Sequence, residues 1–264
     1  MGKKMSNAPV YFTVAQIRFN PILNLDGYMS TIQPKMKDLH FPDYKQENMQ
    51  RLVLPIAGGE VGQISPPSLV PHSRFVFGDR EGMSNFVLEN NSIAFQTTAY
   101  DTFEVFSGKL FAGLKVIHGT LGLDFTERVG LRYLDAIQPD QTGESLSDYL
   151  IPEVLGLSRS IGGNLEHSVS ETLTHRNSCR LVSRVIIQNG QVGLPPDLLV
   201  VAPKVNPRFT QGQGLYAIID SDAFSEQRES FDLAKLEQHL LVLHDEIKKS
   251  FEATITAHAR QVWD

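Results

Sequence analysis

Apolar and polar positions along the chain change period several times, and each change marks an element. Residues 10–19 are rich in Val, Tyr, Phe, Thr and Ile and lie between Pro9 and Pro21, the signature of a strand. Residues 25–39 carry Tyr28, Met29, Ile32, Met36 and Leu39 at helical spacing, so a helix is expected there. Pro34 falls inside it and predicts a kink, because proline lacks the N–H of the helical ladder. Residues 40–72 hold Pro42, Pro55, Pro66, Pro67 and Pro71 and read as loop, with one strand over 50–55. Short strands at 74–78, 85–89 and 92–98 form a meander turning at Gly82 and Asn90-Asn91. A helix over 102–114 follows, striped by Phe103, Phe106, Leu110, Phe111 and Leu114, with an N-cap at Tyr100-Asp101-Thr102.

The second part of the chain repeats this order. It predicts a strand at 124–137, a helix at 145–155, and strands at 164–175 and 178–188 turning at Arg176-Asn177. A short buried strand at 198–202, another strand at 214–222 and helices at 232–251 and 256–263 complete the pattern. Leu233, Leu236, Leu240, Leu243, Ile247 and Phe251 stripe the first of these helices. The fold class is therefore α+β, an antiparallel sheet backed by helices. The expected organisation is an internal duplication of a strand-helix-(three or four strands)-helix unit, with halves 1–123 and 124–264 that can share one continuous domain. Residues 14–19 (Val-Ala-Gln-Ile-Arg-Phe) and 128–133 (Arg-Val-Gly-Leu-Arg-Tyr) both end in aliphatic, Arg, aromatic. The TATA-binding-protein topology has the same element order, an analogy of fold that carries no function.

Composition narrows the class. Hydrophobic residues are 41% and charged residues 20% of the chain, which fits a globular protein and excludes wholesale disorder. The formal net charge of −6 argues against a basic protein that coats polyanions, while leaving room for a local basic face. The single cysteine, Cys179, forms no intrachain disulfide and fits a reducing cytoplasm. Its strand context makes it a small core residue. No apolar stretch is long enough to span a bilayer, so no membrane is expected. The start, MGKKMSNAPV, has no apolar run after its lysines and does not read as a signal peptide.

Candidate chemistry is sparse. Asp220 and Asp222 lie two apart on a strand, so both face one side and can hold Mg²⁺ or Mn²⁺ for phosphoryl hydrolysis; the alternative is a strand end meeting water. Arg18 and Arg132 occupy matching places in the two halves, and arginine's planar fork suits phosphate or carboxylate. The alternative is structural ion pairing, with Glu127 or Glu171 as partners. Ser168, Ser170, Thr172 and Thr174 alternate opposite Leu165, Val169 and Leu173. Arg180 and Arg184 on the next strand are expected to stand on that Ser/Thr face. His239 and His244 are five apart on a helix, the wrong spacing for a zinc pair, and His244 is expected to hydrogen-bond a neighbouring strand. Trp263 is expected as an anchor under the sheet.

Several stretches together resemble a known family. They are the Ala-Pro-Val start, Ile17-Arg18-Phe19, the central Phe125–Tyr133 strand, Tyr216–Asp222 and a terminal block from Leu243-His244-Asp245-Glu246 to Trp263. The chain resembles a sporadically distributed family of functionally uncharacterised bacterial proteins of about this length. The resemblance spans nearly the whole chain and implies no activity, cofactor or partner. Patchy distribution implies accessory or mobile genes, defence systems among them.

The leading expectation is a non-catalytic binding or scaffold subunit in the bacterial cytoplasm, because no nucleophile, base and orienter form a recognisable set. It would use an open sheet face bearing Arg18, Arg132, Arg180 and Arg184 to hold a protein partner, a second copy of itself or a nucleic acid, with no cofactor. One alternative is a metal-dependent phosphodiesterase or nuclease centred on Asp220 and Asp222. Another is a small-ligand sensor with a pocket between the halves.

Overall fold

Two strands that alternate between a buried and a polar face form the seam of the molecule. They are β1 (Val10–Phe19) and β6 (Phe125–Ile137), paired antiparallel with Gln16 opposite Gly130 and Arg18 opposite Arg128. The computed structural model describes residues 7–53, 68–139, 143–176, 178–199 and 201–264. On one side of the seam lie β2 (Asp43–Val53), β3 (Ser68–Gly78), β4 (Ser84–Glu89) and β5 (Ser92–Thr97). On the other lie β7 (His167–Arg176), β8 (Cys179–Gly190), β9 (Gly214–Ser225) and β10 (Glu229–Ser230). They make one antiparallel sheet in the order β2-β3-β4-β5-β1-β6-β9-β8-β7, with β10 paired to the start of β6. One sheet thus runs through both halves of the chain.

The helices are α1 (Met29–Asp38), α2 (Phe103–Leu121), α3 (Leu146–Tyr149), α4 (Ser158–Ile161), α5 (Pro207–Thr210), α6 (Leu233–Thr254) and α7 (Ala257–Trp263). The long ones, α2 and α6, start where a side chain accepts orphan N–H groups. Thr102 accepts from Val105, and Asp232 accepts from Ala234 and Lys235. Gly122 ends α2 in the left-handed region, at φ 64°, where a side chain would be strained. Ala15, Ile17 and Phe19 of β1 and Val129, Leu131 and Tyr133 of β6 pack against the apolar stripes of α2 and α6, forming the main core. Cys179 is a buried member of that core. Trp263 packs beside Tyr149 and Phe251 in a second cluster, as an anchor would.

Gly113 lets α2 approach the sheet. A Cβ there would stand 2.4 Å from Cε1 and 2.5 Å from Cζ of the buried Phe86 ring. Gly113→Ala is therefore expected to lower the unfolding free energy by about 1–3 kcal/mol through overpacking, measured by urea denaturation.

Three segments differ from the sequence expectation. Residues 43–53, expected as mostly loop, form the whole of β2, because every residue from Asp43 to Val53 pairs with β3. Residues 54–67, including Pro55 and Pro66, lie outside the described residues. The helix expected at 145–155 is broken by Pro152 into α3 and a single 3₁₀ turn, Pro152–Val154. Of the strand expected at 198–202, the described residues form none: Leu198 ends a 3₁₀ turn, Pro196–Leu198, and residue 200 lies outside the described residues. Pro34 does sit inside α1, where Ile32 and Met36 are buried and hold the helix despite the lost bond.

Candidate functional site

The face of the sheet away from α2 and α6 collects the arginines and both aspartates. Register fixes this, since residues opposite each other on paired strands share a face. Arg132 stands opposite Asp222, Arg184 opposite Asp220, and Arg180 opposite Phe224. Arg18 stands opposite Arg128 on the same face. Across the outer pair, Arg184 faces Glu171 and Arg180 faces His175. Arg180 and Arg184 therefore share a face with Val169 and Leu173. The expectation that they stand on the Ser168–Thr174 hydroxyl face is corrected by one residue of register, which reverses the side of a whole strand.

Part of this face is covered. Residues 191–199 and 201–213, between β8 and β9, lie across the sheet as a strap. Val192 and Phe209 of the strap bury against Tyr11, Phe12, Leu134 and Ile218, with Leu194, Leu198 and Val205 packed around them. Polar contacts fasten it. Tyr11 Oη donates to the Gly193 carbonyl at 2.9 Å, Gln96 Nε2 to the Val201 carbonyl at 2.6 Å, and Thr98 Oγ1 to the Lys204 carbonyl at 2.5 Å. The strap thus bridges β1, β5 and β9 and leaves bare the end of the face that carries Arg18 and Arg128.

Asp220 is the centre of an ion-pair cluster beneath the strap. Its carboxylate is 1% exposed. Arg132 Nε donates to Oδ1 at 2.7 Å and Nη2 to Oδ2 at 2.8 Å, a bidentate fork. Arg184 Nη1 adds a bond to Oδ2 at 3.3 Å, while its Nε binds Glu171. The remaining Arg132 nitrogen, Nη1, reaches Asp197 of the strap at 2.5 Å. Burial works against the charge on Arg132, but the bonds and charges of Asp220 and Asp197 outweigh it and raise its pKa. Burial raises the pKa of Asp222, against the pull of Arg128 and Arg132. For a divalent cation, Asp220 offers oxygens already committed to two guanidinium groups. Among the described residues no group of three or more His, Cys, Asp or Glu side chains could hold a metal.

The other arginines of the face fall into two kinds. Arg74 pairs with Glu89 at 2.8 Å, and Arg180 pairs with Glu226 at 3.5 Å. Arg18 is exposed, and no described carboxylate pairs with it. Arg128, opposite it, donates to Gln16 Oε1 at 3.2 Å and lies 4.7 Å from the centroid of the Phe224 ring. Its guanidinium rests over Gly130, the space a Cβ would take. Two like charges thus stand at opposed positions of adjacent central strands, and Arg128, Gln16, Ser92 and Asp222 help to line a cavity of about 240 Å³.

Sequence reasoning passed over Arg128. It matched Arg18 to Arg132 in chain order, whereas antiparallel pairing runs the strands in opposite senses and brings Arg128 to Arg18. It also passed over Asp135, a buried carboxyl inside the apolar run Tyr133–Ile137, whose only sequence signal is that interruption. His244 does reach a strand, with Nδ1 3.3 Å from the Tyr133 hydroxyl.

No protein-family model matches the chain, and no curated protein matches it in sequence. Among the described residues no helix is long and apolar enough to cross a membrane.

Proposed function

We propose that the protein is a non-catalytic binding subunit that holds an acidic segment of a partner protein on the bare end of its sheet face, with Arg18 and Arg128 as the contact residues. The observation that carries this is the pairing of two arginines, neither in a salt bridge with a described carboxylate though Asp222 lies within electrostatic reach of Arg128, in a sheet where Arg74, Arg132, Arg180 and Arg184 all form one. Like charges directly opposite on neighbouring strands are destabilising. A carboxylate cluster brought by a partner relieves that repulsion and fits the guanidinium fork. Membership of the uncharacterised bacterial family and a place in the cytoplasm remain part of this reading.

The internal duplication belongs to the same proposal. The shift that lays 14–19 on 128–133 takes Gln16 to Gly130, and these two residues face each other at the seam, as a twofold axis through the sheet requires. A second shift takes the N-cap Thr102 to the N-cap Asp232. That shift also takes Phe106, Leu110, Gly113 and Ile117 to Leu236, Leu240, Leu243 and Ile247, all buried. Read outward from the seam, β5-β4-β3-β2 on one side and β9-β8-β7 on the other support a TATA-binding-protein-like arrangement in this reading, with the strap between β8 and β9 where the second half has one strand fewer.

The test is binding of a fluorescent poly-glutamate peptide at low salt, followed by anisotropy, with a single-stranded oligonucleotide of equal length as the comparison. The wild type is expected to bind the peptide in a salt-dependent manner, and Arg18→Glu/Arg128→Glu to lose about tenfold or more in affinity. Equal affinity of variant and wild type contradicts the assignment. Tighter, arginine-dependent binding of the oligonucleotide replaces the protein partner with a nucleic acid.

A further inference from the structure

On the helix side of the sheet lies a second cavity, of about 410 Å³, where the two halves of the chain meet. Pro9, Tyr100 and Phe103 reach it from the first half, and Tyr133, Asp135 and His244 from the second. Asp135 is 7% exposed and follows Tyr133 by two residues on β6, so both project from the same side. No described hydrogen-bond or charge partner acts on its carboxyl, and burial alone pushes its pKa up to about 8. Buried carboxyls without partners are rare, because desolvation of the charge is uncompensated. One that opens onto a cavity is free to meet a ligand.

The walls are aromatic. Tyr100 and Tyr133 meet edge to face with centroids 5.2 Å apart, joined by a 3.1 Å bond from the Tyr133 hydroxyl to that of Tyr100. Phe103 stacks on His244 at 4.1 Å. Ring faces around a carboxylate attract a positive group with an apolar body, through cation–π contact and a single counter-ion. An anionic ligand is repelled there, and a neutral one leaves the carboxyl unanswered. The volume lies within the range of small-molecule sites.

We infer that this cavity is a binding site for a small organic ammonium ion, with Asp135 as its counter-ion and Tyr100, Phe103 and Tyr133 as its aromatic walls. The site is independent of the arginine face, which lies on the opposite side of the sheet. Because it joins both halves, its occupation stabilises their packing.

The experiment is calorimetric titration with choline chloride and, in parallel, with its uncharged carbon isostere 3,3-dimethylbutan-1-ol. Wild-type protein is expected to bind choline saturably and the isostere far more weakly. Asp135→Asn, nearly isosteric, is expected to weaken choline binding roughly thirtyfold while keeping a cooperative thermal melt. Phe103→Leu, which removes one wall and leaves the carboxyl, is expected to give a smaller loss. Equal binding of choline and isostere overturns the inference. So does wild-type affinity in folded Asp135→Asn, or the absence of saturable choline binding to the wild type.

Discussion

Asp220→Ala is expected to lower the unfolding free energy by about 3–5 kcal/mol, the usual cost of removing one partner of a buried ion pair. Two guanidinium groups converge on this carboxylate from the neighbouring strands β6 and β8, and one of them, Arg132, also holds Asp197 of the strap. Removing it leaves Arg132, whose side chain is only 12% exposed, with Asp197 as its remaining ion-pair partner, and takes one of the two partners of Arg184. The pair itself is not the source of the stability, because desolvating both charges consumes most of their attraction. The double variant Asp220→Leu/Arg132→Met should therefore recover most of the loss. The coupling between the two sites, measured by urea denaturation of both single variants and the double variant, is expected to be strongly favourable. Arg132→Ala carries a second consequence that Asp220→Ala does not share in full. It releases Asp197, so limited proteolysis within residues 191–213 should speed up. A near-neutral Asp220→Ala would mean that the cluster is solvated and does not hold the strap.

Asp135→Asn is expected to do the opposite and stabilise the protein. Burial raises the Asp135 carboxyl from 3.8 to about 8, so the folded protein keeps a proton that the unfolded chain releases between those values. Native protein then binds more protons than unfolded protein, and stability falls as pH rises through that window. Below about pH 4 both states are protonated and the variant should match the wild type. At pH 7 the variant should be more stable by on the order of 4 kcal/mol, since every pH step of one across that window costs the wild type about 1.4 kcal/mol. The measurement is the urea midpoint of both proteins at several pH values from 4 to 8, converted with the denaturant slope. Parallel curves for the two proteins would show that the carboxyl is as well solvated in the fold as out of it. A residue that weakens the empty fold and lines a cavity is the trade expected at a binding site.

These particulars show what a sequence of this kind makes legible. β1, β4, β5, β6, β8 and β9 are readable because Phe, Val and Ile recur there between turn residues, and burial of those side chains is what forms the strands. β2 is not readable, because its sequence DYKQENMQRLV is mostly polar; its register comes from backbone bonds to β3 at the sheet edge. The strap is hidden for another reason. Val192, Leu194, Leu198, Val205 and Phe209 follow no period, and Pro195, Pro196, Pro203 and Pro207 give the segment the look of a connection. Its burial is decided by tertiary packing alone. The four arginines are visible as residues, but which of them is matched by a carboxylate depends on strand register. Sequence spacing within one strand does not contain that register.

The most direct test of the central claim compares tagged wild-type protein with Arg18→Glu/Arg128→Glu, each purified natively from its own cells with and without nuclease. Companions would be identified by mass spectrometry and sequencing. The account predicts a stoichiometric protein companion on the wild type that resists nuclease, carries an acidic segment and is absent from the double variant. A companion held equally by both proteins, or none on either, would contradict a partner-binding role for the arginine end of the sheet.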